Sequence, residues 1–370
     1  MRITEALLAT DACMAKTWRV YLTDPDISEI MVNGYGPDEP IRIEKNGLKQ
    51  VVNAYYLDEQ QLLNAITRML FPLGETVNEG KPKAETRLID GSRLTVAIPP
   101  VCLNGPSFSI RRFISLVLKP EEYIAMDAGT QEMFDLLRVA AEGGANILVC
   151  GGTSTGKTTL LRALCSYIPM DERIVTIEDT EELQIKKQEP ERNVLAFLAN
   201  KTRLVFTIRD CLNLALRERP DRLIIGEVRG AETIDLLDAM RTGHVAMGTI
   251  HVSSPTEAIE RMGREIRSVD PSIDAELLYD EITRAVDLIV QLKFFKHKGE
   301  RKIVSIAEPI RYRNGLEYRE IYSYAVDGFK FNSPFSKTLS EKLLLNGMTK
   351  ILDTKWISPE FTEDERRMYR

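Results

Sequence analysis

Apolar and polar positions along this 370-residue chain follow two different rhythms. From about residue 17 to 114 the apolar runs are short and strand-like. IRIEKNG (41–47) alternates and ends in a turn signal, and SRLTVAIPP and PSFSIRRF are further β-type runs punctuated by Gly and Pro. Between them, DEQQLLNAITRMLF (58–71) places Leu62, Leu63, Ile66, Met69 and Leu70 at helical spacing. The pattern predicts a small N-terminal α+β domain over residues 1–114.

Residues 115–127 (SLVLKPEEYIAMD) read as a linker followed by a helix start. Beyond them the apolar strands NILVCGG, RIVTIED, RLIIGEV and HVAMGTIHV alternate with amphipathic helices up to about residue 292. Such alternation predicts an α/β domain with a mainly parallel sheet covered by helices on both faces. The exposed turn KHKGERK and the strand KIVSIAEPIRYR extend this domain, 128–332. The tail, 333–370, holds one amphipathic helix, SKTLSEKLLLNGM, and a charged end to which no chemistry is assigned.

Composition narrows the classes. The chain is 44% hydrophobic and 28% charged, with 49 Lys+Arg against 55 Asp+Glu and a net charge of −6. This balance, and the lack of a basic–aromatic stripe, argue against direct nucleic-acid binding. The five cysteines are far apart and form no CxxC pair, which fits a reducing compartment. The N-terminus carries no sustained apolar core, and no apolar run reaches the ~18 residues that a membrane span needs. The expected location is cytoplasmic, with any membrane association made through partner proteins.

The sharpest motif is Gly151-Gly152-Thr153-Ser154-Thr155-Gly156-Lys157-Thr158, a GxxxxGK[ST] loop between the apolar strand NILVC and the helix TTLLRALCSYI. Its glycines let backbone N–H groups face phosphates, the helix N-terminus adds its dipole, Lys157 reaches the β/γ-phosphates and Thr158 ligates Mg²⁺. Thr159 follows in the first helical turn. A glycine-rich turn with a surface lysine is the bland alternative, and the strand–loop–helix setting weighs against it. The run LIIGE ends in Glu227, seventy residues beyond Lys157, and looks like a Walker B strand able to hold a magnesium-bound water. Gly226 stands where the usual aspartate would be.

Other candidates are less specific. Glu178, Asp179, Glu181 and Glu182 close the strand RIVTI, where a carboxylate could orient the attacking water, or where a solvated loop could simply cap a helix. His244 and His251 bracket the strand VAMGTI; either could sense a γ-phosphate or be packed, and with no third ligand near them a metal site is disfavoured. Arg93, Arg111, Arg112, Arg209, Arg217, Arg219, Arg222 and Arg229 crowd near these motifs, and spacing does not choose among them.

These motifs, in this order, resemble the hexameric secretion ATPases of type II and type IV secretion, conjugation and pilus systems. The resemblance runs from about residue 28 to 309. It rests on SEIMVNG and DGSRLTVAIPP…SFSIRRF, then CGGTSTGKTTLLRAL, RIVTIEDTEELQ, ALRERPDRLIIGEVRGAE, TGHVAMGTIH and ITRAVDLIV. It is strongest to the branch serving type IV secretion and tight-adherence pili, although that branch often reads STLHANS where this chain has GTIHVSS. The resemblance implies a RecA-like second domain, a homohexamer, and ATP with Mg²⁺ as ligands. It implies Glu182 as catalytic base of an Asp box, Glu227 as the Walker B glutamate and metal ligand, and His251 as γ-phosphate sensor. Arg93 and Arg111 match first-domain arginines that reach nucleotide, and Arg217 lies in the arginine-rich helix before Walker B. The implied work is ATP-driven secretion, conjugative transfer or pilus assembly with membrane-embedded machinery. A nucleic-acid translocase and an ATP-binding scaffold with little turnover are the competing readings.

Overall fold

The computed structural model describes residues 21, 24, 26–88, 91–112, 118–199, 205–312 and 315–369. The N-terminal stretch read above for a targeting signal, Cys13, and residues 115–117 lie outside the described residues. The chain divides into two units, Met1–Ser115 and Leu116–Arg370.

Among its described residues, the first unit is an antiparallel six-stranded sheet with one α-helix of three turns. Its elements are β1 (Ile27–Val32), β2 (Arg42–Lys45), β3 (Leu48–Val51), α1 (Glu59–Leu70), β4 (Lys83–Arg87), β5 (Arg93–Ala97) and β6 (Ser107–Arg111). The order across the sheet is β3-β2-β1-β6-β5-β4. Alternation does what it predicted: Leu94, Val96, Phe108 and Ile110 are buried, while Arg93, Thr95, Ser109 and Arg111 lie on the other face. The buried face packs with Leu62, Ile66, Met69 and Leu70 of α1. Asp58 starts that helix by accepting the Gln61 amide.

In chain order, the second unit has α2 (Pro120–Ala125), α3 (Gln131–Glu142), β7 (Ile147–Gly151), α4 (Lys157–Cys165), β8 (Ile174–Glu178), α5 (Ile185–Gln188), β9 (Val194–Leu198), α6 (Ile208–Ala215) and β10 (Arg222–Val228). There follow α7 (Glu232–Arg241), β11 (Val245–Ile250), α8 (Pro255–Val269), α9 (Ala275–Ala285), β12 (Leu288–Phe295), β13 (Glu300–Tyr312), β14 (Leu316–Ala325), β15 (Gly328–Phe331), α10 (Lys337–Leu345) and α11 (Glu363–Met368). The nine-stranded sheet runs β15-β14-β13-β12-β7-β11-β10-β8-β9. From β12 to β9 every neighbouring pair is parallel; β13, β14 and β15 add antiparallel hairpins.

Central strands send alternate residues to two apolar layers. Ile147 and Val149 enter one core with α3 and α4, while Leu148 and Cys150 enter another with α6, α7, α8 and α9. Both faces are therefore buried, which is why these strands read as continuous apolar runs. Residues beyond 332 are part of the first layer: Phe335, Leu339, Leu343, Ile351, Trp356 and Phe361 are buried with α3 and α4. Tyr123 of α2 joins the same core. Among the described residues no helix is long and apolar enough to cross a membrane.

Candidate active site

Parallel strands all present the same end to one edge of the sheet, and loops there can gather residues distant in sequence. At that edge β7 delivers its fully buried run to Gly151. A Cβ on Gly151 would lie 2.6 Å from the Leu292 carbonyl oxygen of β12 and 2.7 Å from Thr155 Oγ1, so close approach alone dictates glycine. The loop then turns through Ser154 at φ 60° and Gly156 at φ 93° into α4. Lys157 Nζ and Thr155 Oγ1 both donate to the Gly152 carbonyl, at 2.8 and 3.0 Å. No side chain caps α4, so its first-turn amides and the Lys157 ammonium form a cradle suited to phosphate oxygens. Thr158 and Thr159 are half-buried in that turn. From the β12–β13 hairpin, Arg301 donates through Nε to the Ser154 carbonyl at 3.1 Å and stacks 4.6 Å from the Phe294 ring.

The strand carrying Glu227 is not adjacent to the P-loop strand; β11 lies between β7 and β10. On its far side β10 pairs with β8, Ile225 opposite Ile177, so Gly226 and Glu178 are neighbours. A Cβ at 226 would stand 3.0 Å from Glu178 Cγ. A side chain at 226 would therefore crowd a carboxylic acid from the next strand. Burial, first of all, pushes the Glu178 carboxyl up to about 7; its hydrogen bonds from the amides of Glu182 and Leu183 act the other way, and the Glu182 and Glu181 charges reinforce the rise. Arg162, buried on α4, lies within electrostatic reach of Glu178 and Glu182, and burial holds its guanidinium below the usual arginine range.

Arg229 joins the two acidic segments, pairing with Asp179 and lying 3.5 Å from Glu227. Glu181 pairs with Lys187 at 2.8 Å. His251 follows β11, its Nε2 3.4 Å from Thr153 Oγ1 of the P-loop. Burial and then the Lys157 ammonium keep its pKa below the ordinary histidine value, against the pull of Glu227 and Glu257. The ring is thereby held neutral near pH 7 and able to share a proton with an anionic oxygen. His244 precedes β11, at the opposite edge of the sheet, 3.4 Å from Thr242 Oγ1. Of the two histidines, only His251 is at the P-loop.

The structure sorts the arginines as sequence spacing could not. Arg112 binds the carbonyls of Tyr21, Asp24 and Ile27, Arg209 pairs with Asp235 at 2.6 Å, and Arg222 is buried at the far edge of the sheet. Of the eight candidates Arg229 joins the acidic segments, and Arg301 is an addition to them. Nothing in the turn KHKGERK marks Arg301, because its role depends on a hairpin folding back over a loop 147 residues earlier. Within the first unit, Arg93 stands directly opposite both Arg111 and Arg87. Three arginines therefore share one row across β4, β5 and β6, on the face away from the core.

The model of the type II/IV secretion system protein family matches residues 21–312. The conjugal transfer protein TrbB of Rhizobium radiobacter is 31% identical over 310 residues, spanning 82% of this chain and 90% of that protein. Among solved structures, the pilus retraction motor PilT with bound ADP has a TM-score of 0.55 at 17% identity, covering 97% of each chain. The ATPase DotB of Yersinia pseudotuberculosis has a TM-score of 0.56 at 15% identity, covering 93% of this chain and 90% of that one. These two likenesses show the fold, a β-rich N-terminal domain followed in the chain by a RecA-like α/β domain. With its P-loop and paired acidic strands on one edge, the chain belongs to the type II/IV secretion system protein family.

Proposed function

We propose that the protein is an ATP-hydrolysing hexameric motor that energises type IV secretion, conjugative transfer or pilus assembly at the cytoplasmic face of the membrane, held there by membrane-embedded partners. The observation that carries this reading is the convergence, on one sheet edge, of an anion cradle (Gly151 to Thr159) with two acidic strand ends joined through Arg229.

Mg²⁺ bound with the nucleotide would neutralise charge on the β- and γ-phosphates, and Thr158 and Glu227 are the residues to hold it. Lys157 binds the phosphates, Glu182 orients and takes a proton from the attacking water, and His251 hydrogen-bonds the γ-phosphate. Arg93 and Arg111, with their shared row in the first unit, supply guanidinium groups for the same nucleotide.

The test is ATP hydrolysis measured against protein concentration, with Glu182→Gln and Lys157→Ala alongside. Specific activity should rise as the ring assembles and both variants should be inactive, Glu182→Gln still binding ATP. A wild type that binds ATP yet turns none over in any assembled state would sink the motor reading.

A further inference from the structure

Glu178 is a buried acid at the site to which the proposed chemistry gives no task. It is 4% exposed. Its Oε1 accepts the amide of Glu182 at 2.9 Å and that of Leu183 at 3.0 Å. A single fixed oxygen thus holds both backbone N–H groups at the end of the acidic turn. Leu183 is fully buried, so packing secures one flank of Glu182 and this carboxyl secures the turn beneath it. The acid fits because residue 226 on the adjacent strand has no side chain.

We infer that Glu178 is a positioning residue: it anchors the turn 179–183 so that the Glu182 carboxylate is held at the same sheet edge as Glu227, and position 226 is glycine to admit it. The inference rests on the ATPase reading above. A carboxylate that must orient water tolerates little displacement, since about 1 Å of misplacement can cost on the order of a hundredfold in rate. Two amides left without an acceptor would let the turn move by that much.

Full-length Glu178→Gln, Glu178→Asp and Glu178→Ala test it, with kcat, KM and binding of a fluorescent ATP analogue as readouts. Glutamine keeps an acceptor oxygen at the same reach, so kcat should stay within about threefold of wild type. Aspartate is one methylene short and alanine has no acceptor, so kcat should fall roughly 10- to 100-fold. Nucleotide affinity should not change, because the P-loop is untouched. The Gln and Asp pair decides the matter even if the alanine variant does not fold. A loss in Gln with activity kept in Asp would show that charge rather than anchoring matters, equal losses in the two would show that an acceptor oxygen at the same reach is not what counts, and a loss confined to nucleotide affinity would place the effect at the P-loop; each overturns the inference. If wild type turns over, Glu182→Gln is dead and Glu178→Asp is fully active, the inference falls and the motor reading stands. A wild type without turnover removes both.

Discussion

At the N-terminal edge of the parallel strands, Arg222 gives its guanidinium to Glu172 at 2.9 Å and to the carbonyls of Ala141 and Glu142 at 2.7 and 3.0 Å. Nearby, Asp287 accepts the Asn146 amide at 2.6 Å and Lys342 Nζ at 2.5 Å. Opposite charges alternate there one for one. At the C-terminal edge, Glu178, Asp179, Glu181, Glu182 and Glu227 gather beside Arg229 and Arg162. One edge closes its charges during folding. The other concentrates carboxylates where a metal–nucleotide complex could use them. Buried charge marks a working site when like signs gather, and a structural one when opposite signs interleave.

The largest effect should come from breaking the closed edge. Arg222→Ala would take a guanidinium that is 3% exposed away from the Glu172 carboxylate and the carbonyls of Ala141 and Glu142 and cost about 3 kcal/mol, read as a drop in thermal midpoint; an unchanged midpoint would mean the pair is dispensable. At the open edge, Glu227→Gln should lower kcat about 100-fold while leaving the midpoint unchanged or slightly raised, because a repelling charge is removed. Loss of stability in that variant would contradict the contrast.

The pH dependence sharpens it further. The Glu178 carboxyl holds its proton up to about 7, against 4.5 for the ordinary group. The folded protein therefore binds this proton more tightly than the unfolded chain. Its contribution is full below the lower value and is lost as pH rises through the higher one, amounting to at most about 3 kcal/mol. Glu178→Gln should therefore gain thermal midpoint relative to wild type between about pH 5 and about pH 8, and parallel curves would refute this. Arg229→Ala, at a part-exposed pair, should change stability by about 1 kcal/mol or less but reduce turnover. Smallest of all, His244→Ala should leave turnover within about twofold where His251→Ala does not, since the two histidines stand at opposite edges.

Much of this was legible in the sequence because it is local. Strand runs, the P-loop glycines and the helix over 58–71 depend on periodicity and steric demands within a few residues. What escaped depends on lateral pairing. Four acids within five residues look alike until β8 is seen beside β10, which buries Glu178 and leaves Glu182 half-exposed. The same holds for Arg229 among eight candidate arginines, and for Arg301, whose partner belongs to a loop from another strand. The tail helix was visible as amphipathic, yet its apolar face could have met any element; that Leu343 and Leu344 join the core with α3 follows from tertiary packing alone.

The exchange between Gly226 and Glu178 has an evolutionary corollary. A side chain at 226 and the Glu178 side chain compete for the same space at the sheet edge, the Cβ of one falling 3.0 Å from the Cγ of the other. Across relatives the two positions should covary: aspartate at 226 only with a smaller residue at 178, and glutamate at 178 only with glycine at 226. A motif search that insists on the aspartate would pass over chains in which the acid has moved sideways by one strand.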